Sequence, residues 1–225
     1  MQRLRRFHRI HALVMSLIVV TAALSGLIHT WMARSQSPPP PARPAGALPL
    51  TEVRISPAAL PGPAVGASLR SIAGRPWWQV LPEGGGAPRW VDATTGVEDP
   101  AADERYAQQI AEGFLQHPVT KTAFLTAYDR EYIAIFRLLP VYRFDAADGK
   151  GTRVYVSTLT GSVARHTDDR RQLEANIFSL FHKWAFIPNR TVRDWALMIA
   201  MAGLVVLAVT GVVLFLGTAK GRKKV

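Results

Sequence analysis

Residues 12–31 read ALVMSLIVVTAALSGLIHTW, and this uncharged stretch decides the architecture. At a helical rise of about 1.5 Å per residue it reaches roughly 30 Å, the thickness of a bilayer's hydrocarbon core. A second such stretch, WALMIAMAGLVVLAVTGVVLFL, occupies 195–216. Two membrane spans are therefore expected, at 12–32 and 194–217, with everything between them forming a separate body. A signal peptide is the rival reading of the first span, because its basic start and apolar run fit one. No A-x-A-like cleavage site follows Trp31, which favours an uncleaved anchor.

Histidines mark the edges of both spans. His8 and His11 open the first, His29 closes it, and His182 precedes the second. From His11 to His29 is about five helical turns, or roughly 27 Å, so these imidazoles share one helix face at opposite ends of the span.

A formal net charge of +11 invites a nucleic-acid reading, but the charge is concentrated at the tips. Arg3, Arg5, Arg6 and Arg9 lie in 1–11, and Lys220, Arg222, Lys223 and Lys224 lie in 218–225. Those eight charges leave +3 for everything between. Basic residues beside short tails stay on the cytoplasmic side, so 1–11 and 218–225 are expected inside and 33–193 outside. The basicity is read as a topology signal with attraction to anionic membrane lipid, and no nucleic-acid partner is expected.

The chain has no cysteine, which excludes disulfides, iron–sulfur ligation, a thiol nucleophile and c-type haem attachment. Neither H-E-x-x-H, a G-x-S-x-G elbow, a phosphate-binding loop nor a dinucleotide fingerprint is present. A self-contained hydrolase or NAD-dependent reductase is not expected.

Between the spans, 33–49 is a Pro-rich linker, semi-rigid and extended. Residues 50–170 suffice for one domain. They contain a repeat: PWWQVLPEGGGAPRWVDATTG at 76–96 and PVYRFDAADGKGTRVYVSTLTG at 140–161. Each reads as a β-hairpin around a Gly-rich turn, with Trp90-Val91-Asp92 matching Tyr155-Val156-Ser157 before a closing Thr-Gly. Tyr106, Ile110 and Phe114, four apart, predict a helix between the hairpins. Residues 171–193 are expected to form an amphipathic interfacial helix and turn, with Leu173, Ile177, Phe181 and Trp184 as its apolar stripe. Pro188 and Asn189 break it, and Asp194 begins the second span. The fold class is thus α+β, two transmembrane helices flanking a domain of two β-hairpin/helix units. Trp77, Trp78, Trp90, Tyr142 and Tyr155 are expected in the core or on a sheet surface facing a partner. His117 and His166 stand singly in loop-like contexts.

Several of these motifs carry a family resemblance. His8-Arg9-Ile10-His11-Ala12-Leu13 with Ser25-Gly26-Leu27, Leu139-Pro140-Val141-Tyr142, Tyr155-Val156 with Thr160-Gly161, Phe181-His182 and Thr210-Gly211 resemble the PepSY-associated transmembrane proteins. Ala12 stands where that family has glycine. Pro61, Gly62, Pro63 and Gly66 disrupt the helix the resemblance predicts before the first hairpin.

The resemblance implies a bacterial inner-membrane protein with a periplasmic PepSY-like domain. Larger relatives include ferric-siderophore reductases holding haem between membrane helices through histidines. By that likeness this chain is a b-type haem protein with His29 and His182 as outer iron ligands and His11 or His8 as inner ones. It would pass electrons to a periplasmic acceptor, ferric siderophore, as a reductase subunit. With two spans it supplies half of such a bundle, so a homodimer or a membrane partner subunit is implied, and its donor would be external, a quinol or a reductase. Against this stands a non-catalytic reading, a membrane-anchored binding, regulatory or accessory subunit. In it His29 and His182 are interface anchors, and His8 and His11 bind lipid phosphates beside the arginines.

Overall fold

The computed structural model describes residues 2–36 and 47–222, with side chains to 217. Most of the Pro-rich linker and the side chains of Lys220, Arg222, Lys223 and Lys224 lie outside that description. The chain divides into two units, 1–36 with 170–225, and 37–169.

The first unit is helical. Helix α1 (Gln2–Arg34) pairs with α4 (Arg190–Arg222). Both are long and apolar enough to cross a membrane. Their large side chains point outward: Leu13, Leu27, Ile199 and Phe215 are each more than 60% exposed. In water such a surface is unfavourable, by about 25 cal/mol per Å2 of apolar area, whereas lipid covers it. Helix α1 takes in the basic N-terminal segment as well as the apolar run.

The shorter α3 (Asp169–His182) ends before Pro188, with Trp184 in the left-handed region at φ 51°. Asn189 then caps α4, its side-chain oxygen accepting the Val192 N–H at 3.1 Å, so this helix starts before Asp194. The expected apolar stripe of α3 is not its packed face. Leu173 and Phe181 are exposed, and Glu174, Phe178 and His182 face α1 instead. Polar partners on α1 select that face, leaving Leu173 and Phe181 on the outside and Ile177 and Trp184 half-buried.

The second unit is α+β. Strands β1 (Ala64–Ile72), β2 (Arg75–Pro82) and β3 (Arg89–Asp92) form one antiparallel sheet; β4 (Val119–Leu125), β5 (Val141–Ala146), β6 (Arg153–Ser157) and β7 (Ser162–Thr167) form another, each in sequence order. Both expected hairpins are present, as β2–β3 and β5–β6. The segment expected as a disrupted helix is strand β1. Ala73 and Gly74, both at positive φ between paired Ile72 and Arg75, make the two-residue turn whose twist suits a hairpin.

Helix α2 (Ala102–Leu115) packs on both sheets. Trp77, Trp90, Ala102 and Tyr106 form one cluster, and Ala107, Ala111, Phe144, Val154 and Val156 another, with Ile110 against both. Trp77 and Trp90 are thereby core residues, and Tyr155 is buried in a third cluster with Tyr132 and Val141. Asp103, on the same helix face, accepts Trp90 Nε1–H at 2.8 Å and Tyr142 O–H at 2.9 Å. A buried carboxylate needs such donors to offset its lost hydration.

Strand β6 is buried along its whole length. Val154 and Val156 face α2, while Arg153 and Tyr155 alternate to the other face and meet Glu131. There Glu131 accepts from Arg153 Nε at 2.7 Å and from the Tyr155 hydroxyl at 2.5 Å, and Arg153 also reaches Asp169 at 2.6 Å. Burial opposes ionisation of Glu131, but the Arg153 and Tyr155 hydrogen bonds outweigh it and hold the carboxyl below its ordinary range. A folded pKa below the unfolded one gives stability that is present above the unfolded pKa and lost as pH falls through the folded value. Urea melts of the full chain are expected to weaken on acidification from neutrality to about pH 3, and Glu131→Gln should flatten that loss while lowering stability at neutral pH. Parallel curves for both proteins would contradict the assignment.

Candidate functional site

Helices α1 and α4 run antiparallel, so each end of the pair gathers one end of each helix. His8 and His11 mark one end; His29, with His182 at the close of α3, marks the other.

At the second end, His29 Nδ1 lies 2.5 Å from Glu174 Oε1, and the other carboxylate oxygen accepts from the Gln36 side-chain amide. Glu174 is 11% exposed against 45% for His29, so the carboxylate is enclosed and the ring is open. His182 Nδ1 lies 3.3 Å from Ser25 Oγ, whose own hydrogen goes to the Ala22 carbonyl at 2.8 Å. Carboxylate and hydroxyl oxygen both act as acceptors here, so each imidazole donates from Nδ1, and in the neutral ring the lone pair lies on Nε2. Neither Nε2 has a hydrogen-bond partner among the described residues. The Phe178 ring packs on both imidazoles, with centroids 4.6 Å from His29 and 4.5 Å from His182.

At the first end, Thr210 donates to the carbonyls of Val206 and Leu207, and its oxygen accepts from His8 Nδ1 at 2.8 Å. His8 thus also presents Nε2. His11 differs, because its Nε2–H donates to the Gly203 carbonyl at 2.7 Å. The small residues of α4 seat these rings: a Cβ on Gly211 would lie 3.3 Å from His8, and one on Gly203 would lie 2.9 Å from the Met15 sulfur. Gly203→Ile is expected to destabilise the helix pair by about 1–3 kcal/mol through overpacking. Gly26→Ala, where nothing lies within 4 Å, should be neutral, as thermal unfolding in detergent would read out.

Glu174, Phe178, Gln36 and Ser25 complete the site, and only Ser25 was singled out from the sequence. The legible signal was the spacing Glu174, Phe178, His182, which puts a carboxylate, a ring and an imidazole on one helix face. His117 lies in a turn, and His166, expected in a loop, is on β7 with Phe114 5.4 Å away in a T-shaped contact. Among the described residues no three His, Asp or Glu side chains converge as a metal site. Three carboxylates of the loops and strands have separate partners, Asp145 with Arg143, Asp148 with Thr152, and Asp169 with Arg153.

These features define an α+β chain carrying two helices able to cross a membrane, with imidazoles fixed at both ends of the pair. No protein-family model, curated protein or solved structure matches it.

Proposed function

We propose that this chain is a b-type haem protein of the bacterial inner membrane, holding haem iron through His29 and His182 and passing electrons to a periplasmic acceptor of the ferric-siderophore class. One observation carries this reading: both imidazoles have Nδ1 engaged and Nε2 presented at the same end of the helix pair. A hydrogen-bonded Nδ1–H that fixes ring and tautomer is the usual arrangement of a metal-ligating histidine.

Bound haem supplies one-electron iron chemistry between an external donor, a quinol or reductase partner, and the acceptor. The chain's own residues orient the ligands. Glu174 and Ser25 hold the two rings, and Phe178 shields the space against which both pack. Because Phe178 touches both rings, a shared iron requires its side chain to turn aside, or the two imidazoles to come from two copies of the chain. For an inner haem, His8 is the better candidate, since the Nε2 of His11 is already committed to Gly203. The two hairpins β2–β3 and β5–β6, each followed by a turn closing on Gly96 or Gly161, support a PepSY-like periplasmic domain, and the N-terminal arginines support cytoplasmic termini.

A second reading is favoured by the same packing. All four imidazoles have hydrogen bonds within the chain, as expected of a membrane-anchored binding or accessory subunit in which they only fasten helices. The visible spectrum of gently purified protein separates the two. A Soret band with sharp α and β bands on dithionite reduction, and reoxidation by a ferric chelate, support the haem reading; colourless, folded protein made with haem available overturns it.

A further inference from the structure

The long loop between β4 and β5, residues 126–140, carries apolar side chains that its own packing does not use. Tyr132 is fully buried and clusters with Val141 and Tyr155, while Phe136, Leu138 and Leu139 pack against them. Those residues fill the loop's core, yet Ile135 is 69% exposed, Ile133 44% and Tyr128 41%. The acidic residues of the segment are engaged within the domain. Asp129 Oδ1 accepts from the backbone N–H groups of Glu131 and Tyr132, and Glu131 is held by Arg153. Arg130 and Arg137 are exposed, and neither side chain has a partner among the described residues. The outer side of the loop thus offers two isoleucines and a tyrosine beside two exposed cations.

We propose that this loop docks on an anionic phospholipid surface. Ile133 and Ile135 enter the acyl boundary, the Tyr128 ring lies at headgroup level, and Arg130 and Arg137 meet the phosphates. The way the loop is anchored favours a bilayer as its occupant. Arg153, which binds Glu131 of the loop, also binds Asp169, the last residue of the sheet domain and the first of α3. The loop is therefore tied to the point from which the chain departs towards α4. At its other end the domain is continuous with α1. Both α1 and α4 are long and apolar enough to cross a membrane, so the tethers keep lipid at high effective concentration around the domain. The proposal is independent of haem.

The chain has no cysteine, so Ile135→Cys introduces a unique thiol for an environment-sensitive fluorophore. The labelled full-length protein is placed, a single copy per nanodisc, in phosphatidylcholine with phosphatidylglycerol and a spin-labelled quencher lipid. Emission from the label is expected to shift to the blue and to be quenched by the lipid. The same label on Val65→Cys, at an equally exposed site of β1, is expected to show neither change. Ile133→Cys serves in place of Ile135→Cys if that variant folds poorly. Adding Arg130→Gln and Arg137→Gln is expected to lower the docked-to-undocked ratio about fivefold for each arginine removed. Equal quenching at the two labelled positions, or an unchanged ratio without the arginines, overturns the proposal. A blue shift without quenching by lipid overturns it as well, because protein rather than lipid then covers the loop.

Discussion

Purified His182→Ala protein is expected to lose the Soret band and the sharp reduced bands, while His11→Ala retains them. The difference follows from the nitrogens. His182 donates from Nδ1 to Ser25 and leaves Nε2 for the proposed haem iron, so under that proposal alanine removes a ligand outright. His11 donates Nε2–H to the Gly203 carbonyl, so alanine there removes a helix–helix hydrogen bond, a loss of about 0.5–1.5 kcal/mol. His29→Ala should resemble His182→Ala, with the added effect of leaving Glu174 enclosed with Gln36 as its remaining partner. Equal spectra for His182→Ala and His11→Ala would remove the basis for ranking the two ends.

The largest effect on stability is expected in the other unit. Trp90 is 1% exposed, packs at a tilt on Tyr106 with centroids 5.0 Å apart, and gives its indole N–H to Asp103. Trp90→Ala is expected to cost about 3–5 kcal/mol, combining lost burial with an unfilled cavity. Trp90→Phe divides that cost, since a ring remains but Asp103 loses one donor in a buried setting, worth about 1–3 kcal/mol. Chemical denaturation of the three proteins measures both steps. If Phe and Ala variants were equally stable, packing at this position would count for nothing.

Much of this architecture was readable from period and composition. Two uncharged runs gave the long helices, and alternating residues around Gly-rich turns gave both hairpins. The Tyr106 spacing gave α2. Strand β1 was hidden because Pro61, Gly62, Pro63 and Gly66 dominate its approach, and its pairing with β2 is decided by a two-residue turn. On α3 the apolar stripe was legible, with Leu173 and Phe181 turned outward, whereas the polar face that meets α1 was not. Glu174 was overlooked because its importance lies in the ring it faces, an acquaintance made only when α3 returns to α1. The histidines were legible as markers of the span ends, whereas which nitrogen each one commits is decided by Thr210, Gly203, Ser25 and Glu174.

Helix α2 has a consequence for how the sheet domain comes apart. Ile110 packs on the clusters of both sheets, and Asp103 takes one hydrogen bond from β3 and one from β5. Both halves of the repeat lean on this one helix, so loosening α2 from either sheet strips cover from the other as well, and what looks in the sequence like two modules in tandem is coupled through a single shared element.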